Sequence, residues 1–193
     1  YIYKEVEKMD VRLVSFNSGK MHNAIPRDGK FVIAVPADRK EEVRVDWNVF
    51  ASEVEEEFHV SDTQMVWNMQ STDAQPVIEK SVADRFIRAL QAVDNGVFAM
   101  CQDKALETMV ETSSNIASII TEDEKISCVA SQRSNVMSNL DNMCNTVKAV
   151  FELAGANVEQ NDGYPAWKMN PKSELTALVV ESYKKLFGKE PIV

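Results

Sequence analysis

Histidine is scarce in this chain. His22 and His59 are the only two in 193 residues, and neither stands in HxxxH, HxH or HxD spacing. A hydrolytic metal centre needs several His, Asp, Glu or Cys ligands converging around an open position for water, so we expect no metal or other cofactor to be held by these residues. Cysteine is nearly as sparse. Cys101, Cys128 and Cys144 are odd in number and none is in CxxC spacing, which favours free thiols in a reducing, cytoplasmic setting over disulfides. Only six glycines occur, and GxSxG, P-loop and GxGxxG motifs are missing. No apolar run reaches membrane-spanning length. The opening YIYKEVEKMD has neither a basic n-region nor an apolar h-region, so it is not read as a signal peptide. It looks like a helix cut open, and we expect the chain to be an excised piece. Basic residues are outnumbered, 21 against 30 acidic ones, for a formal charge of -9, which argues against non-specific nucleic-acid binding.

What is present is regular patterning. Ile2, Val6 and Met9 recur at helical spacing, and residues 11–17 alternate as a strand. Residues 29–36 (GKFVIAVP) form the clearest strand signal, β-branched and ended by Pro36. Residues 37–58 predict an amphipathic helix with Val43, Trp47, Phe50, Val54 and Phe58 on one stripe and Asp38 as N-cap. Residues 64–71 read as a further strand. The order then recurs: a helix over 76–93 with Pro76 in its first turn, a hairpin of strands 108–120 and 125–131 around an acidic turn, a helix over 135–154 stopped at Gly155, and an extended segment at 156–160. A last helix spans 173–187, with Ser173 as cap and Gly188 as stop. These elements predict an α+β fold of two tandem ferredoxin-like α-β-β-α-β units, 1–75 and 76–171, with a largely antiparallel sheet and helices on one face.

Few residues offer chemistry. His59 ends an acidic helix, where it can satisfy the helix C-terminus. His22 lies in a loop, and a lone loop histidine is more often inert. The Glu53–Glu57 run is a solvated face, since i, i+2 spacing does not bring two carboxylates together on a helix. Cys101 alone lies outside a strong element, without a basic neighbour to activate it. Three segments remain unusual. MHNAIPR (21–27) packs polar groups into a short loop closed by proline. SQRSN (131–135) sets Arg133 at a strand end, where a guanidinium can grip a carboxylate bidentately. GYPAWKMNP (163–171) reads as a packed connector between domains.

HNAIPRD (22–28), DNGVFAMCQDKALETMVETSSNIASI (94–119) and GYPAWKMNPKSEL (163–175) together resemble the aminoacyl-histidine dipeptidases, cytosolic members of the metallopeptidase family that includes the carnosinases. The combination of Asn-x-Ile-Pro with ETSxN and YPxWKxNP carries the resemblance across nearly the whole chain. Ala166 and Met169 stand where the family usually has Gly and Pro.

The resemblance implies a parent enzyme in which a catalytic domain holds two zinc ions through His, Asp and Glu. There a metal-bridging water attacks the dipeptide carbonyl with a Glu as general base, and an inserted lid domain binds the substrate. The zinc-ligand motifs are not in this sequence, so the resemblance assigns residues 1–171 to the lid and 172–193 to the start of the return to a catalytic domain. It implies that Asn23 faces the substrate and can donate to the developing oxyanion. Arg133 would bind the substrate's C-terminal carboxylate, and Asn115 would be the pseudo-repeat partner of Asn23. The isolated chain is then expected to be inactive and to expose an apolar stripe of Leu175, Leu178, Val179 and Leu186 that favours self-association. The partners would be a dipeptide and the parent's catalytic domain, with no nucleic acid or membrane. The alternative is a stand-alone α+β dimerisation or ligand-binding module with no enzymatic parent. The gene's reading frame separates the two.

Overall fold

The computed structural model describes residues 1–167, 170 and 172–191. A first helix, α1 (Ile2–Met9), leads into a hairpin of β1 (Arg12–Ser18) and β2 (Gly29–Ala34), then a 3-10 turn (Ala37–Arg39) and α2 (Lys40–Glu57). The second half runs α3 (Lys80–Ala92), β3 (Gly96–Met100), β4 (Val110–Thr121), β5 (Ile126–Ser134) and α4 (Met137–Leu153), and α5 (Glu174–Phe187) follows. All five strands join one antiparallel sheet. The α+β expectation is met.

β4 organises the sheet. One of its edges pairs along its length with β5. The other is shared: its first half pairs with β3, and its end meets β1 at Ser18↔Ile119. Where the partner changes, the register slips between Ile116 and Ser118, leaving Ala117 as an extra residue. A bulge of this kind bends the strand and re-aims its side chains. Asn95 fills the gap with a side-chain oxygen that accepts from Ile116 N–H at 2.8 Å.

Apolar side chains on one face of the sheet meet the helices. Met9, Val11 and Val43 pack together with Ile33 and Val35. Leu13, Ala83 and Ile87 pack with Val6, Phe16 and Phe86. Ala89, Val93, Met143, Val147 and Phe151 close over Ile116, Cys128 and Ala130. A slip between Leu13 and Ser15 explains why Leu13 and Phe16, three residues apart, share this face.

Several predicted boundaries shift for physical reasons. Residues 64–71 alternate as expected, but no strand forms there. Trp67 packs edge-on against Trp47 (5.6 Å) and Phe50 (5.9 Å), so its partner is helix α2 rather than a strand. Residues 156–160 are also not a strand, although Val158 packs against the core. Helix α3 begins at Lys80, not Pro76. Glu79 sets its start by accepting from the N–H groups of Ser81 and Val82, while Ile78 N–H donates to the Leu13 carbonyl at 2.8 Å. The Ser81 hydroxyl, which also donates to Glu79, and then the two N–H groups hold the Glu79 carboxyl below its usual range. Asp38 does not cap α2, because the 3-10 turn precedes it and Arg39 takes the cap position. Strand β3 was not predicted. Helix α5 starts and ends as expected, with the Ser173 side chain accepting from Thr176 N–H and Gly188 in the left-handed region. In the 163–171 connector, Tyr164 and Trp167 are exposed, and Lys168, Met169 and Pro171 lie outside the described residues.

Candidate functional site

On the face of the sheet opposite the helices, β4 and β5 present a polar patch toward one end, with Val129 and Ile120 exposed farther along. Cys128 and Ala130 point to the helical core, so Ser131 and Arg133 alternate to the other side. Their ladder partners are Asn115 opposite Ser131 and Ser113 opposite Arg133. Diagonal neighbours on one face of an antiparallel pair lie about 7–8 Å apart, which puts Arg133 one step from Asn115. Arg133 is exposed and makes no ion pair among the described residues. Its guanidinium is available to an anion from outside.

The loop carrying Asn23 folds back to this row. It leaves β1 at Gly19 and returns at Asp28, closed by Gly19 N–H to the Asp28 carbonyl (3.3 Å) and Ser18 Oγ to the same carbonyl (3.1 Å). Asn115 Nδ2 donates to the Ala24 carbonyl at 2.9 Å. The Asn23 loop and Asn115 are therefore in direct contact, while Asn23 itself is exposed. The two asparagines do not hold corresponding positions in the two halves: Asn115 is inside β4, whereas Asn23 lies beyond the end of β1.

Gly19 makes the close approach possible. Its φ is +69°, and a Cβ there would lie 2.0 Å from the Ala117 carbonyl oxygen. Only glycine fits both the left-handed backbone and that contact. Gly19, Asn95 and the bulge at Ala117 are the parts of the site that patterning missed. The turn-forming pairs Ser18-Gly19 and Asn95-Gly96 carried the available signal.

Other candidates fall elsewhere. His59 Nδ1 lies 2.6 Å from the Glu56 carbonyl, the helix-end role expected of it. Cys101 is buried, and its Sγ accepts from Asn135 Nδ2 at 3.3 Å. Burial pushes the Cys128 thiol up to about 11, and burial with Asp141 nearby raises that of Cys144, so neither is an activated nucleophile. Among the described residues, no group of three or more His, Cys, Asp or Glu is placed to hold a metal ion. The donor set of the described residues therefore does not fit a zinc centre. No described helix is long and apolar enough to cross a membrane.

No family model matches the chain. It is 31% identical to the cytosol non-specific dipeptidase of Escherichia coli (strain K12) over 193 residues, which is 99% of this chain and 39% of that protein. It also matches the crystal structure of aminoacylhistidine dipeptidase from Vibrio alginolyticus with a TM-score of 0.85 and 33% identity, covering 98% of this chain and 39% of that one. The resemblance to dipeptidases read from the motifs thus extends end to end, and the chain spans about two fifths of the length of these relatives.

Proposed function

We propose that this chain is the substrate-closing lid of a cytoplasmic di-zinc dipeptidase that hydrolyses Xaa-His and other dipeptides, with the metal-bearing domain formed by other parts of the parent protein. The end-to-end match to a 39% segment of two dipeptidases carries this reading. In it, the bare polar face of the sheet turns toward the substrate. Arg133 binds the dipeptide's C-terminal carboxylate, for which a planar guanidinium offers two parallel donors. The Asn23 amide donates to the carbonyl oxygen as negative charge develops there, an interaction stronger in the transition state than in the ground state. Asn115 stands in the same polar row. Taken alone, the chain binds no zinc and is inactive.

The last helix belongs to the same proposal. No described residue of α5 is buried, and Leu175, Leu178, Val179 and Leu186 are all exposed. In the parent these side chains pack against the catalytic domain. In the isolated chain they are left to associate with one another, as sedimentation over a concentration range would detect.

The direct test is Asn23→Ala in the full-length protein. We expect kcat on a dipeptide to fall on the order of 100-fold or more, as for the loss of an oxyanion donor. A fall of only a few-fold would remove Asn23 from that role.

A further inference from the structure

A donor aimed at developing charge has to be held still, because catalytic stabilisation of this kind depends on preorganisation. Asn23 lies in an exposed loop of ten residues, Gly19 to Asp28, whose stem rests against the Ala117 bulge. Nearer its tip, the loop is tied to the sheet by Asn115 Nδ2 on the Ala24 carbonyl, 2.9 Å away. A carbonyl oxygen can only accept, so Asn115 must turn its NH₂ toward the loop. One of its two N–H donors is thereby committed to Ala24, the residue bonded to Asn23.

We propose that Asn115 is a positioning residue, a latch that fixes the Asn23 loop on β4 and sets the direction of the Asn23 amide. The proposal rests on the reading of Asn23 as the substrate-facing group. It assigns Asn115 an indirect role in place of direct contact with substrate. The bulge at Ala117 belongs to the same device, since it presents the carbonyl against which Gly19 packs.

The test uses the full-length protein. Asn115→Asp keeps the side chain's shape but sets a carboxylate against the Ala24 carbonyl. Asn115→Ala removes the donor without adding charge and serves if the first variant fails to fold. Hydrogen exchange of the 19–28 amides should become about 3- to 10-fold faster, the release expected for one hydrogen bond, while β5 amides remain protected. On a dipeptide, kcat should fall with KM little changed. In an Asn23→Ala background, Asn115→Asp should cost nothing further, because both substitutions disable the same donor. Unchanged loop exchange would overturn the latch, as would a double variant whose loss equals the product of the two singles, or a rise in KM alone. If Asn23→Ala itself leaves kcat near wild type, the substrate reading fails, and loop exchange still decides whether Asn115 holds the loop.

Discussion

The two faces of the sheet are made from the same strands and differ in almost every other respect. On one side Leu13, Ile116, Cys128 and Ala130 meet three helices, α1, α3 and α4, and Leu13 and Met143 are each 1% exposed. On the other, Ser113, Asn115, Ser131 and Arg133 form a polar row, to which Asn115 ties the loop from Gly19 to Asp28. Stability resides in the first face, where burial of a large apolar side chain contributes about 1.5–3 kcal/mol. The second adds little to stability and is free to be specified by what it meets.

That contrast can be broken from either side. Leu13→Ala or Met143→Ala should destabilise the chain by about 2–5 kcal/mol in urea unfolding, because both leave a cavity in a closed core. At the boundary between the faces, Gly19→Ala should cost about 1–3 kcal/mol for the left-handed backbone, together with displacement of the loop from Ala117. An unchanged urea midpoint would show that the loop's seat on the bulge is not specified by Gly19.

The next effect is set by pH. Glu5 of α1 is 4% exposed, and one of its oxygens has no partner among the described residues. Burial first, and then Asp46 of α2, raise its carboxyl above the usual 4.5; Glu42 adds to this, and Lys8 and the N-terminal amine oppose it. The folded state therefore holds this proton more tightly than the unfolded one, and stability falls as pH rises from about 4.5 toward the raised value. Glu5→Gln should raise the thermal midpoint at pH 7, and the gain should vanish below pH 4.5. The smallest effect belongs to the bare face: Arg133→Ala should change stability by no more than about 0.5 kcal/mol. In the full-length protein the same substitution should raise KM for dipeptides while leaving it unchanged for C-terminally amidated analogues.

The sequence made the covered face legible because burial imposes a period. The stripes through Val6 and Met9, through Val43, and through Met143 and Val147 all reach the core. The hairpin of β4 and β5 followed from β-branched alternation around an acidic turn. Strand β3 escaped because it is short and has side chains exposed on both faces, with Val97 and Phe98 both open to solvent, so it shows no alternation to read. The segment through Trp67 misled for the opposite reason: its alternation is real, but a helix answers it. The polar row was legible only as isolated residues. Arg133 and Asn115 become neighbours through the β4–β5 register, and the Asn23 loop reaches them through the bulge at Ala117. Neither the register nor the bulge is encoded in a local pattern.

The central claim is that the polar face closes over a dipeptide held by another part of the parent protein. A structure of the full-length protein with a non-hydrolysable dipeptide analogue tests it most directly. The Arg133 guanidinium is expected within hydrogen-bond reach, about 3 Å, of the analogue's carboxylate, and the Asn23 amide at its central carbonyl or that group's mimic. An analogue bound wholly by other residues, with Asn23 and Arg133 turned to solvent, would contradict the account.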